Sequence, residues 1–435
     1  MVEMLTRRAM LSKLVVGVAA VASGTMWLRP WASNARFTTS LTTEDDAFLE
    51  ELERASFRLF WECAYPETGL VKNHGRLTEQ ASDDISSIAA TGFGLTALCI
   101  ADQRGWLNPG EALERVRVTL RFIRHGLPQE RGFFFHFMNW RTGARVFHCE
   151  VSSIDTAILL CGVLTCRQYF RDDEIRQLAD EIYGRVDWQW MFQDGLFLSH
   201  GWTPEAGFLP SRWDTYCEHM MLYLLAIGAK EHPIPAEAWE AWRRPVVDYA
   251  GLRYIDTDAP LFTHQYSHAW FDFRGRRDRF TDYFKNSVLA TRAHRQFCED
   301  SGDEFPHYDS ELWGITASES PQGYVVWGGP PRRGPIDGSV VPCAPGGSLP
   351  FLPQECLRVL RRIRDRYGDI AWQRYGFVDA FNPATGWVAA DVVAINTGIT
   401  LLMAENARTG FVWDQFMGND EAQAAMEKVG FSSVV

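Results

Sequence analysis

Few stretches of this chain alternate apolar and polar residues with the period of two that a half-buried strand needs, which argues against an all-β fold. No GxGxxG or Walker sequence occurs, so neither a Rossmann nor a P-loop nucleotide site has its phosphate cradle. Gly-x-Ser-x-Gly is absent, and with it the nucleophile elbow of an α/β-hydrolase. His-Glu-x-x-His is absent too, and no cysteine pair has the spacing of a zinc site. No charge of one sign dominates either. The 43 basic and 55 acidic residues are interspersed and leave a net charge of −12, which offers no footprint for nucleic acid or an anionic membrane. Beyond the first 35 residues no stretch is apolar enough to span a bilayer, and no long low-complexity tract interrupts the 435 residues.

The N-terminus has a different character. Thr6-Arg7-Arg8-Ala9-Met10-Leu11 is a twin-arginine pattern, followed by an apolar stretch from residue 14 to about 28 and by small residues at Ser33 and Ala35. The expectation is an export signal over 1–35, handled by twin-arginine machinery, and a periplasmic or secreted domain over 36–435; an uncleaved signal anchor is the alternative. The nine cysteines are odd in number, and Cys99, Cys161, Cys166 and Cys217 lie in apolar helical runs. They read as small buried hydrophobes in a protein folded before export, not as disulfide partners.

What is abundant is helical periodicity. Apolar residues at helical spacing predict helices over 45–64, 85–103, 110–125, 152–170, 174–191, 214–227, 281–299, 353–367 and 392–408. Ser152-Ser153-Ile154-Asp155 has the form of a capping box, and Gly228 stands as a C-terminal stop after Ile227. Between the helices lie long loops rich in Gly, Pro and aromatics, at 129–149, 192–213, 250–280, 301–350 and 376–390; ordered loops of this length are usually functional. A dozen or so helices with elaborate loops suggest an all-α toroid of paired helices with a cleft at one mouth. Seventeen Trp and an aromatic content of 13% supply either a large core or flat platforms on which sugar faces stack.

Several side chains could carry chemistry. Glu218 follows Asp214, a candidate N-cap, in a run that is apolar almost all round; desolvation there favours a protonated carboxyl, as a general acid needs, while pairing with Arg212 is the structural alternative. Asp379 lies among aromatics in Tyr375-Gly376-Phe377-Val378-Asp379-Ala380-Phe381-Asn382, either a second catalytic carboxylate or an Asx-turn residue. Asp155 either binds hydroxyls or completes the capping box, and Glu150 is similarly open. Glu405, three residues before Arg408, reads as its ion-pair partner. His264, His268 and Asp272 are four apart, but hydrogen bonding is preferred to metal binding there, so neither metal nor cofactor is expected.

Taken in order, Ser87-Ile88-Ala89-Ala90-Thr91-Gly92-Phe93-Gly94, Gly132-Phe133-Phe134-Phe135-His136-Phe137, Tyr216-Cys217-Glu218, His264-Gln265-Tyr266-Ser267-His268, Trp313-Gly314-Ile315-Thr316 and the Asp379 segment resemble the glycoamylase-like domain family, from about residue 45 to Met417. The likeness is to the endo-β-1,2-glucanases of glycoside hydrolase family 144 and to the C-terminal domain of cyclic β-1,2-glucan synthases. It implies an (α/α)6 toroid, with Glu218 as acid and Asp379 as base of an inverting hydrolysis of β-1,2-glucan, endo-acting. It implies Asp155, Glu150, Trp213, Tyr216, His264, His268, Arg274, Trp313 and Trp387 as sugar contacts. Asn396 stands where relatives carry aspartate, and Ser318-Glu319-Ser320-Pro321-Gln322-Gly323-Tyr324 replaces Ser-Asp-Gly-Pro-Asp-Gly-Tyr. Retaining transglycosylation, lyase chemistry and glucan binding without turnover are the competing readings.

Overall fold

Ser87 and Ser152 each end a short strand and cap the helix behind it: Ser87 Oγ accepts the Ala90 N–H at 3.4 Å and Ser152 Oγ that of Asp155 at 3.2 Å. A computed structural model describes residues 41–77, 84–193, 195–257 and 260–434. The twin-arginine segment lies outside the described residues. Among the described residues the helices are α1 (Thr43–Glu62), α2 (Ile88–Gln103), α3 (Glu111–His125), α4 (Ser153–Tyr169), α5 (Asp173–Gly184), α6 (Trp188–Phe192) and α7 (Met220–Gly228). They continue with α8 (Ala238–Ala241), α9 (Tyr283–Asp300), α10 (Cys343–Gly346), α11 (Pro353–Ala371), α12 (Ala394–Arg408), α13 (Phe411–Phe416) and α14 (Asp420–Lys428).

Burial sorts these helices into two rings, as an (α/α)6 toroid requires. All nine residues of α7 are buried, and so are all but two of the sixteen in α2, so these are inner helices without a solvent face. By contrast, only five of fifteen residues in α3 and six of nineteen in α11 are buried, which marks outer helices with one apolar stripe. The inner ring is not uniform. Its members between α7 and α12 shrink to two 3-10 turns, Leu261–His264 and Tyr266–Ala269, and to the single turn α10.

Glycine lets the inner helices touch. A Cβ on Gly162 would sit 2.2 Å from Gly92 O, and one on Gly92 would sit 2.4 Å from Ile158 O, so α2 and α4 meet backbone to backbone. Gly162→Ala should therefore force the two helices apart at a cost of about 1–3 kcal/mol. Chemical denaturation would read this as a lower midpoint with an unchanged slope; an unchanged midpoint would mean that the crossing has slack.

Short strands, none longer than four residues among those described, pair antiparallel in two- and three-stranded ladders, several of them joining distant parts of the chain. His74–Arg76 pairs with Asp391–Val393, Ile85–Ser87 with Phe137–Asn139, and Val151–Ser152 with Gly201–Thr203. These strands lead directly into α12, α2 and α4, so the N-termini of those inner helices open on the same rim. Two predicted helices change shape. The 174–191 run breaks because Asp187 starts a new helix by accepting the Trp190 N–H at 2.9 Å. The 214–227 run begins only at Met220: Asp214 is no N-cap, since its carboxylate bonds Thr215 Oγ1 at 2.9 Å and faces Arg243 at 3.3 Å.

At the opposite end α12 is tied to α1. Arg408, with its side chain 2% exposed, reaches Asp46 at 2.8 Å, Glu50 at 2.9 Å and the fully buried Glu53 at 2.6 Å. The expected Glu405–Arg408 pair is thereby corrected: Arg408 turns onto α1, and Glu405 bonds Arg104 at 2.6 Å instead.

Candidate active site

Three carboxylates are brought to the rim by three inner helices. Asp155 lies in the first turn of α4, where Ser152 Oγ donates to its Oδ2 at 2.5 Å and His136 Nε2 stands 3.6 Å away. Glu218 occupies the turn two residues before α7. Ser267 fixes that turn, donating to Glu218 O at 2.5 Å and accepting the Met221 N–H at 3.0 Å. Asp379 follows the strand Gly376–Phe377 and faces the start of α12. The partial positive charge of helix N-termini offsets part of the cost of holding carboxylates there.

The two candidate catalytic groups are held differently. Asp379 is 4% exposed and accepts three bonds: from the Glu319 N–H at 2.8 Å on Oδ2, and from the Val393 N–H at 3.2 Å and Asn396 Nδ2 at 3.0 Å on Oδ1. Burial outweighs these donors and pushes its pKa up to about 6. Glu218 takes a Cys217 thiol contact on Oε2. Burial raises its pKa, with Asp155 adding to the effect and the thiol and a backbone N–H opposing it. Both carboxylates lie near enough to the phenols of buried Tyr266 and half-exposed Tyr324 to help raise their pKa values.

Around this pair lies a second set of charged groups. Glu150 bonds His136 Nδ1 at 3.1 Å, and that bond lowers the Glu150 pKa against its burial. Burial works against a charged His136, but Asp155 and Glu150 outweigh it and raise its pKa. Phe137 stacks on His136 at 3.8 Å, and beyond it Phe147, 68% exposed, sits edge-on at 6.1 Å. A void of about 20 Å³ behind Asp379, bordered by Ser56, Tyr375 and Thr400, has room for water but not for a sugar. A separate surface cleft of about 460 Å³ at Tyr249, Asp300 and Glu304 contains none of these groups.

Several expected sugar contacts are structural instead. Tyr216 is fully buried and pairs its hydroxyl with His264 Nδ1 at 3.0 Å, while His264 Nε2 faces Asp256 at 3.1 Å. His268, 1% exposed, meets Ser287 Oγ at 3.1 Å, and burial pushes its pKa down to about 3. Asp272 is bound by Arg274 at 2.9 Å, so the three groups spaced four apart share no centre. Arg274 stacks on Trp413 at 3.9 Å, beside the residues that follow the C-terminal end of α12 and so away from the rim. Trp313 is fully buried, and Trp213 packs face to face with His200 at 3.8 Å while its N–H bonds Ser153 Oγ at 2.9 Å. Tyr216, His264 and Trp213 thus spend a polar atom on a neighbour, whereas the buried Trp313 indole N–H meets no acceptor among the described residues. Trp387 remains half-exposed on the hairpin beyond Asp379. Sequence reasoning passed over His74, Glu319, Tyr324 and Phe147, which the structure places beside the candidate groups; the Glu319–Tyr324 stretch had drawn notice only for departing from the family pattern.

Residues 210–420 match the Glycoamylase family model, described as "Putative glucoamylase". That stretch is a glycoamylase-like match. Across 91% of its length the chain is 27% identical to an exo β-1,2-glucooligosaccharide sophorohydrolase (non-reducing end) from Parabacteroides distasonis, and it spans 60% of that relative's length. Its fold superposes with a TM-score of 0.83 on an endo-β-1,2-glucanase from Chitinophaga pinensis solved with sophorotriose and glucose, at 25% identity over 89% of this chain and 98% of the other. A β-1,2-glucanase structure from Parabacteroides distasonis gives 0.82, at 25% identity over 90% of this chain and 60% of the other.

Proposed function

We propose that this protein hydrolyses β-1,2-glucan within the chain, with inversion, using Glu218 as acid and Asp379 as base. The observation that carries this reading is that two buried carboxylates stand at the N-terminal ends of inner helices, Glu218 in the turn before α7 and Asp379 bonded to Val393 and Asn396 at the start of α12. Burial raises both pKa values, which suits one carboxyl that must give a proton and one that must take it near neutral pH. Glucan binding without turnover is disfavoured by Asn396. Its amide donates to Asp379, where an aspartate would add a like charge beside the base. Relatives of both cleavage modes make the products the decisive readout. Linear β-1,2-glucan should give a ladder of oligosaccharides with an initial α-anomer by NMR. Sophorose as sole early product would mean end-wise cleavage, a β-anomer would mean retention, and action only on other glucans would overturn the substrate.

The same reading has the protein exported by the twin-arginine route. Its nine cysteines are all free thiols, which suits folding in a reducing compartment before export.

Phe147 and His148 both hold left-handed backbone, φ 57° and 48°, which presents the Phe147 ring to solvent beside His136 and Glu150. Such a ring is a platform for a sugar away from the cleaved bond. Phe147→Ala should raise KM roughly fivefold with kcat little changed, since an aromatic contact contributes about 1 kcal/mol. An unchanged KM would remove Phe147 from the sugar path.

A further inference from the structure

Asp379 shares its wall with a second carboxylate. The peptide N–H of Glu319 donates to Asp379 Oδ2 at 2.8 Å, and the Glu319 side chain, 22% exposed, meets His74 Nε2 at 3.1 Å. His74 itself lies on the strand paired with Asp391–Val393, whose last N–H also binds Asp379. One imidazole, one carboxylate and two backbone donors therefore form a continuous frame around the candidate base.

The charges in that frame do not cancel without His74. Asp379 is bonded by Asn396 from α12 and lies near the Tyr266 and Tyr324 phenols and the Cys343 thiol of α10. Asp391 on the neighbouring strand is met by Arg76 at 3.3 Å. Glu319 is the remaining anion close to Asp379, and its field opposes ionisation of the base. The cation set against Glu319 is His74. Burial disfavours a charged imidazole there, but Glu319, Asp379 and Asp391 outweigh it and raise the His74 pKa. Its Nδ1 stands 3.2 Å from Asn73 Nδ2, so a doubly protonated ring requires that amide to be flipped, its oxygen then accepting the second ring proton.

We propose that His74 and Glu319 are a positioning pair for Asp379: the imidazolium cancels the Glu319 charge, so that the Glu319 peptide can grip the base without its carboxylate driving a proton onto it. This rests on Asp379 being the base of the reaction proposed above. The pair works by charge, and the two members therefore have opposite signs of effect. Removing the cation leaves Glu319 unopposed and makes Asp379 harder to ionise. Removing the anion makes it easier, and removing both nearly restores the balance.

The test is the Asp379 carboxyl titration followed by 13C NMR, assigned by the resonance missing in Asp379→Asn, together with the acidic limb of kcat/KM on β-1,2-glucan. His74→Gln should move the Asp379 midpoint up by about one pH unit, Glu319→Gln should move it down by a similar amount, and the double variant should return close to wild type. The kinetic limb should move with it. Glu319→Gln keeps the peptide donor, so it gives the sign of the effect even if His74→Gln folds poorly. Midpoints that stay put, or that move the same way in both single variants, would overturn the proposal and reduce the pair to a loop brace. Opposite NMR shifts in a protein that cleaves no glucan would sustain the pair while sinking the glucanase reading.

Discussion

Asp379→Asn and Glu218→Gln are each expected to lower turnover on β-1,2-glucan by a factor on the order of 10²–10⁴, the range that positioned acid–base groups supply. The two losses should differ in kind. An activated aryl glycoside, whose leaving group departs without a proton, should recover much of the activity of Glu218→Gln and little of that of Asp379→Asn. The pH profile adds a sign. A base must be ionised, and burial holds Asp379 up to about 6, so activity should fall as pH drops through that value. Glu218 must be protonated, so the alkaline limb is its own, and Glu218→Gln on the activated substrate should keep the acidic limb and lose the alkaline one. Equal recovery of both variants, or near-normal activity of either on the natural glucan, would mean that the pair is wrongly assigned.

Arg408→Met is expected to be the most damaging single change to the fold, at about 3–5 kcal/mol by chemical denaturation. The lost cation leaves Glu53, whose side chain is fully buried, and Glu405 close together at the α1–α12 junction. Burial and the Glu405 charge already raise the Glu53 pKa well above the carboxylate range, and Arg408 is the first of the cations that oppose this. Without it the folded-state pKa rises further above the unfolded one. A group raised in this way contributes stability fully below its unfolded pKa and loses it as pH climbs through the folded value. The deficit of Arg408→Met should therefore be smallest near pH 4 and grow toward neutrality. Arg408→Met combined with Glu53→Met should recover part of the loss; a deficit independent of pH would mean that packing, not charge, is what Arg408 supplies.

Helices, family and the two central carboxylates were legible from the chain because each leaves a local mark. An inner helix such as α7 is apolar on every side, an outer one such as α11 is striped, and serine marks where α2 and α4 begin. Glu218 stood out as a charge beside a continuous apolar run, and Asp379 as one among aromatics. Tyr216, His264, His268 and Trp313 left similar marks, yet the structure buries them. Polarity and size in a motif do not say whether a side chain points to a cleft or spends its polar atom on a neighbour inside the core.

By itself the sequence determined the two rings of helices and the residues that could ionise near them, since periodicity and desolvation act over a few neighbouring positions. Only the tertiary structure decided which ionisable groups meet. His74 lies 245 residues from Glu319, and Glu319 lies 60 residues from Asp379. The Asp379 pKa depends on donors from the 318–325 loop, the strand before α12 and α12 itself. Electrostatic coupling falls off with distance in space, and separation along the chain does not predict that distance.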